Sequence, residues 1–361
     1  MAEFPDDVQT DVPPKAAQLS VRNLWKVYGP SAGAVTSGAF EQMDLEQKLS
    51  HVRDADHFVA AADVSFDVAK GEIFVIMGLS GSGKSTVLRC ISRLVEPTLG
   101  AVFLDDTDLM TANPRELIDL RRHKMGMVFQ DFGLLPHLDV VQNVAFPLKA
   151  QRRPRDARRA HARKMIELVG LKGKETAYPH ELSGGQQQRV GIARSLAADP
   201  DLWFLDEPFS ALDPLIRSQM QDEFLRLQKQ LSKTIVFVTH DFLEALKLAD
   251  RICIMKDGQI VQIGTPAEIV LHPANAYVRE FIGDVPLANV LSAQDVMGPA
   301  DGDGKDHPQV PRSTILNEAI KLFDDGTVTV DVIDDDGRVI GALHPLTVIR
   351  SLYHDDAVAD I

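Results

Sequence analysis

The chain has 361 residues, a formal net charge of −14, 45% hydrophobic and 25% charged residues. That is enough chain for two or three domains with a sizeable core, and the balance of residues excludes wholesale disorder. The acidic excess argues against a protein that coats nucleic acid. The two cysteines, Cys90 and Cys253, cannot form a disulfide framework and fit a reducing compartment. No apolar run approaches the roughly 20 residues needed to cross a bilayer, and the N-terminal MAEFPDDVQTDVPPK lacks the basic-then-apolar order of a signal peptide. A soluble chain is expected.

In chain order, the first patterned segment is AFEQMDLEQKLSHV (39–52), whose apolar spacing predicts a short helix. The strongest local signal follows at GEIFVIMGLSGSGKSTVLRCISRL, beginning at Gly71. Its apolar run predicts the buried strand Ile73–Met77, and residues 86–94 continue at helical spacing. Between them Gly78, Gly83, Lys84 and Ser85 satisfy G-x-x-x-x-G-K-[ST], with Leu79, Ser80, Gly81 and Ser82 as the intervening loop and Thr86 just after. Glycines allow successive backbone N–H groups to converge on phosphates, and the helix N-terminus adds its positive end. Lys84 is expected at the β- and γ-phosphates and Ser85 on Mg²⁺. A chance Gly/Ser-rich turn is the plain alternative, disfavoured by the strand before and the helix after.

QRRPRDARRAHARK (151–164) is strongly basic. Lipid headgroups or RNA are conceivable partners, but a solvated helix face is favoured, with Met165, Ile166, Leu168 and Val169 as the packing side. In LSGGQQQRVGIARSLAADP (182–200), Ser183, Gly184 and Gly185 precede a predicted helix and form a second phosphate-facing helix start. Read alone, they are an N-cap with flexible glycines. Two copies arranged head-to-tail would use both helix starts on one nucleotide. The apolar run 202–205 predicts a strand that ends in Asp206 and Glu207, delivering both carboxylates to the sheet edge that carries the phosphate loop. Asp206 would hold Mg²⁺ through water and Glu207 would polarise the attacking water. No histidine or cysteine cluster has metal-site spacing, so nucleotide Mg²⁺ is the only metal expected. Cys90 reads as small core filler.

The string LSGGQ resembles the signature of ATP-binding-cassette (ABC) ATPases, and the resemblance, over about 19–282, orders the other motifs. It implies an α/β fold of the P-loop NTPase type: a RecA-like core, an antiparallel β subdomain and an α-helical subdomain. Gln130, in MVFQDFGLLPHL, matches the family's Q-loop glutamine, which contacts Mg²⁺ and water and faces the membrane subunit. Ser210, Ala211, Leu212 and Asp213 match the D-loop along the dimer seam. His240, in IVFVTHD, matches the switch histidine, placed to hydrogen-bond the γ-phosphate. Tyr28, in LWKVYG, corresponds to the aromatic that stacks on adenine, although Leu24 and Trp25 beside it read equally as core. Ser183, Gly184, Gly185 and Gln186 would close over the other subunit's nucleotide. The implied catalytic set is Glu207, His240, Gln130 and Lys84, with Ser85, Gln130 and Asp206 at the metal.

Two departures from a minimal cassette carry further information. Residues 30–57 separate Tyr28 from the strand that normally follows it, which makes them an insertion. A cassette over 1–289 is then followed by a tail, 290–361, with 14 acidic against 5 basic residues in 291–361. Its Gly/Asp/Pro-rich tract GPADGDGKDHPQVP reads as loop. SAQDVM, STILNEAIKLFDDG and TVTVDVIDDDGRVIGALHPLTVIRSL then read as short helix, helix, strand, turn, strand, helix. That order resembles a single α+β CBS-like module, normally paired, so a second copy would come from a partner subunit. The insertion, MGLSGSGKST, FSALDPLIRSQMQDE and this tail together resemble the ATPase subunit of glycine betaine/proline betaine/choline importers. The resemblance implies ATP and Mg²⁺ as ligands, a homodimer, integral permease subunits, a substrate-binding protein, no nucleic acid, and a peripheral place on the cytoplasmic membrane face. The rivals are an ATPase of another small-solute importer, a soluble cassette of DNA repair or translation, and a non-enzymatic nucleotide sensor.

Overall fold

The computed structural model describes residues 16–210, 212–283, 285–301, 307–323 and 327–352. Ala211 of the D-loop string, the centre of the Gly/Asp/Pro tract and the end of STILNEAIKLFDDG lie outside them.

The buried apolar runs form the centre. Among the described residues a six-stranded sheet runs in the order Gln259–Gly264, Arg251–Lys256, Ile73–Met77, Thr234–Thr239, Leu202–Asp206, Met125–Val128. The pairings are parallel except for the hairpin of the first two. Strands buried on both faces lose the polar alternation of a half-exposed sheet. IFVIM, LWFLD and TIVFVT are buried at every position. Parallel pairing sends all their C-terminal ends to one edge, where the chain turns outward at Gly78, Glu207 and His240.

A second sheet, antiparallel throughout, is built from Phe58–Ala69, Ala17–Tyr28, Leu99–Leu104 and Thr107–Asp108. Its inner face shares a core with the helix Lys84–Ile91, where Cys90 is buried. A third layer consists of the helices Val140–Ala150, Arg155–Leu168 and Gly184–Ala197. From Arg155 onward the basic run does form a helix, Arg155–Leu168, which turns Ala162 and Ile166 inward.

The insertion is more broken than its apolar spacing predicts. It contains the short helix Ala32–Val35, a 3₁₀ turn Gly38–Gln42 and the helix Leu45–Asp54. Asp44 interrupts the expected continuous helix by forming a capping box with Gln47, and Met43 before it is extended. Phe40 and Val52 pack under the insertion onto Trp25, Val27 and Ala62, with the Phe40 ring edge-on to Trp25 at 5.3 Å.

The tail follows the expected order, with one addition. The helix Ala293–Val296, the helix Leu316–Ala319, the strands Val330–Ile333 and Val339–Leu343 and the helix Pro345–Leu352 are joined by a strand Gln309–Pro311, parallel to Val330–Ile333. Leu287, Leu291, Ala293, Val296 and Leu316 belong to the same buried cluster as Phe242, Ile252 and Ile254, so the core continues across residue 289. Phe40→Ala removes the ring that seats the insertion and should destabilise the protein by about 3–5 kcal/mol. Chemical denaturation of the variant beside wild type measures this.

Candidate functional site

The site forms where the phosphate loop is locked between two sheets. Gly83 has φ +97, and a Cβ there would stand 2.1 Å from the Ala60 carbonyl oxygen. Gly78, with φ +150, lies so close to Met255 that a Cβ would meet its carbonyl oxygen at 2.3 Å. Only glycine satisfies both demands. Gly258 ties the same place together: its N–H donates to Ser82 O at 3.1 Å and its carbonyl accepts from Ala62 N at 2.9 Å.

The result is a cavity of about 610 Å³ lined by Phe58, Ala60, Leu79, Ser80, Gly81, Gly83, Lys84, Ser85, Thr86, Gln130, Glu207 and His240. Ten of these twelve positions are candidates from the sequence. Lys84 donates to the carbonyls of Gly78 and Leu79, each at 2.9 Å. Burial pulls its ammonium below the usual lysine range, while the carboxylates of Glu207 and Asp206 push the other way. The Ser85 hydroxyl donates to Asp206 Oδ1 at 2.8 Å, and Arg89 reaches Oδ2 at 3.3 Å. Asp206 is 1% exposed. Ser82 Oγ is buried with no protein partner, facing the turn at Gly78.

Glu207 sits at φ +45, an uncommon conformation for a side-chain-bearing residue, at the point where the chain leaves its strand. Its N–H donates to Val238 O at 3.0 Å, which holds that turn against the neighbouring strand. His240 Nδ1 lies 3.1 Å from Glu207 Oε2, a contact that needs the proton on Nδ1. Carboxylate and imidazole thus meet at the mouth of the cavity that holds the phosphate loop.

Gln130 reaches the cavity through a loop fixed from behind. The half-buried Arg194 donates to the carbonyls of Phe132, at 3.0 Å, and Gly133. Asn143, fully buried in the helix Val140–Ala150, accepts from Leu135 N at 2.8 Å and donates to Leu138 O at 2.9 Å. Neither supporting residue was among the sequence candidates; the available signal is a lone Asn in the apolar run VVQNVAF.

Other candidates stand elsewhere. Tyr28 is 43% exposed with Lys26 Nζ 4.7 Å from its ring centroid, and it does not line the cavity. Its register partner across the sheet, Phe58, does, and is 62% exposed. Ser183 caps the helix Gly184–Ala197 in a reciprocal box with Gln186. The Gly184 and Gly185 turn lies against Leu212 and Ile216, and Asp213 caps the helix Pro214–Leu231. None of Ser183, Gly184, Gly185, Gln186 and Asp213 lines this chain's own cavity.

As chemistry, the cavity offers convergent backbone donors, one ammonium, and a hydroxyl–carboxylate pair of hard oxygen donors. Among the described residues no group of three or more His, Cys, Asp or Glu could hold a metal ion by itself. Ser85 and Asp206, two adjacent oxygen donors, suit a hard cation such as Mg²⁺, whose remaining ligands would be water and substrate phosphate. Among the described residues no helix is long and apolar enough to cross a membrane.

Comparison with known proteins gives the same family from three directions. The family model described as ABC transporter matches residues 61–210. The trimethylamine N-oxide transport system ATP-binding protein of Pelagibacter ubique is 50% identical over 335 residues, 93% of this chain and 97% of that protein. The glycine betaine/carnitine transport ATP-binding protein of Listeria monocytogenes is 42% identical over 336 residues, 92% of this chain and 82% of its own length. A dimeric post-hydrolysis ATP-binding cassette bound to ADP and Pi superposes with a TM-score of 0.57 at 33% identity, covering 69% of this chain and 98% of that one. Gly83→Ala places a methyl group onto the Ala60 carbonyl; nucleotide affinity should fall at least about tenfold, equivalent to about 1.4 kcal/mol, as isothermal titration with ATP would show.

Proposed function

Since the chain belongs to the ATP-binding proteins of ABC transporters, in the branch of the trimethylamine N-oxide and glycine betaine systems, we propose that it powers uptake of small methylated amines of that class. It is an ATPase that works with membrane permease subunits. The observation that carries the mechanistic reading is the meeting of Glu207, His240, Gln130 and Lys84 in the one cavity that the phosphate loop lines.

In this reading the N–H groups of residues 79–86 and the Lys84 ammonium bind the nucleotide's phosphates. Ser85 and Asp206 would hold Mg²⁺, with Gln130 beside them, and the ion would supply neutralisation of charge on the β- and γ-phosphates. Glu207 orients the attacking water, and His240, hydrogen-bonded to Glu207, fixes that carboxylate and faces the γ-phosphate. The helix start at Ser183 supports a head-to-tail homodimer: it lies outside its own chain's cavity, so it is free to close over a second copy's nucleotide. Asp213 lies on the seam of that dimer. The nucleotide's base rests on the aromatic pair at the end of the antiparallel sheet, with Phe58 nearer than Tyr28. ATP favours the closed dimer and ADP does not, and that difference drives the permease through its cycle. A substrate-binding protein delivers the solute, and the subunit sits on the cytoplasmic membrane face.

Residues 290–361 form a CBS-like regulatory and dimerisation module in this reading. Its sheet and helices leave Val328, Leu346 and Ile349 exposed on an acidic segment. Like charges that oppose pairing are screened as salt rises through about 0.1–0.2 M. Because Leu291 and Leu316 are buried in the common core, charge neutralisation tests this more cleanly than deletion. Asp335→Asn with Asp336→Asn should flatten the salt dependence of transport without lowering maximal ATPase activity; unchanged salt dependence would remove the regulatory role.

ATP-driven uptake of labelled trimethylamine N-oxide and glycine betaine into liposomes, by the chain assembled with its permease, tests the transport reading. Uptake of at least one is expected. Glu207→Gln should retain ATP binding, trap a dimer visible by gel filtration, and lose hydrolysis by about a hundredfold or more. Hydrolysis at the wild-type rate would sink the assignment of Glu207.

A further inference from the structure

The helix Ala276–Ile282 meets the phosphate loop at Tyr277. The Tyr277 hydroxyl donates to the carbonyl oxygen of the buried Met255 at 3.2 Å. That oxygen is also the atom a Cβ on Gly78 would meet at 2.3 Å, so one carbonyl contacts both the tyrosine and the first glycine of the loop. Gly78 and Leu79 in turn give their carbonyls to the Lys84 ammonium, each at 2.9 Å. Burial raises the pKa of the hydroxyl and the Leu79 backbone opposes that rise, which puts the second loop residue beside it as well. The ring itself is held by Phe281, edge-on at 5.1 Å, and by Lys256, whose Nζ stands 4.7 Å from its centroid. Val278 and Ile282 of the same helix are buried with Leu287 and Leu291, so the hydroxyl is presented from a densely packed base.

We propose that Tyr277 is a positioning residue of the nucleotide site: its hydroxyl fixes the Met255 carbonyl against Gly78 and so, through Gly78 and Leu79, sets the aim of the Lys84 ammonium and of the loop's N–H groups. This rests on the reading of the cavity as the ATP site. Tyr277 does not line that cavity, so it acts on the loop and not on the ligand. Gly78, at φ +150 and without a side chain, has no packing of its own to keep the turn in place. The brace has to come from outside the loop, and the Met255 carbonyl supplies it. Phosphates are gripped by these groups in the ground state and the transition state alike. A slackened loop therefore loses uniform binding, which raises KM and leaves kcat at saturating ATP in place. A role confined to stability would do the reverse, lowering kcat through fewer active molecules while KM held.

The test compares wild type with Tyr277→Phe, which keeps the ring with its Phe281 and Lys256 contacts and removes only the hydroxyl. Binding of a non-hydrolysable ATP analogue with Mg²⁺ to the full-length chain should weaken about two- to tenfold, the effect of one hydrogen bond. In the chain assembled with its permease, KM for ATP should rise by the same factor with kcat unchanged. An unchanged dissociation constant, or a fall in kcat with KM unchanged, overturns the proposal. If Tyr277→Phe does not fold, 3-fluorotyrosine in place of Tyr277 decides: its ¹⁹F resonance should shift when the analogue binds, and a resonance that stays in place overturns the proposal. Lys84→Ala separates the two readings. Analogue binding that survives this change overturns the assignment of the cavity, and this proposal with it. Binding lost in Lys84→Ala but intact in Tyr277→Phe overturns the role of Tyr277 alone.

Discussion

The arrangement depends on one close approach: the phosphate loop passes so near the strand Phe58–Ala69 and the turn at Gly258 that no side chain fits at Gly83. Backbone hydrogen bonds from Ser82 through Gly258 to Ala62 join the loop, the parallel sheet and the antiparallel sheet at one point. Short backbone contacts of this kind are stiff, because interiors pack densely and cannot yield by small amounts. The loop therefore presents its N–H groups from a fixed frame. The cavity wall that begins at Phe58 is referenced to the same frame.

Around that point the parallel sheet does the remaining positioning. Four neighbouring strands deliver their C-terminal ends to one edge, so residues far apart in sequence, Ser85, Gln130, Asp206 and His240, come within reach of one ligand without any long-range design beyond strand order. The local cost appears where expected for a working site. Glu207 is held at positive φ, Lys84 is partly stripped of water, and Ser82 Oγ lacks a partner. Strain, desolvation and an orphaned hydroxyl gather around the phosphate loop, while the parallel strand pairings behind it run without a register shift.

Legibility in the sequence followed distance along the chain. The phosphate loop could be read because strand, turn and helix are contiguous, and the carboxylates and histidine because each follows an unbroken apolar strand. Phe58 escaped because its place depends on antiparallel register across the whole insertion, where Tyr28 presented itself first. The helix expected over 39–52 was divided by Asp44, whose side chain competes for the backbone of the next turn. The strand Gln309–Pro311 was invisible: three residues ending in proline carry no periodicity, and its parallel partner lies some twenty residues away. Arg194 and Asn143 act on loop carbonyls and not on ligand, a role that residue type alone does not announce.

The core that runs unbroken from the nucleotide-binding sheet into the tail makes the two parts thermodynamic partners. Free-energy coupling between binding events is reciprocal. If closing over nucleotide strains or relaxes the packing around Leu287 and Leu291, then whatever later binds, pairs or unfolds the tail must alter nucleotide affinity by the same factor in return. A tail attached by a free linker would be spared that obligation; this one shares its buried core with the cassette, so its stability and the cassette's are linked.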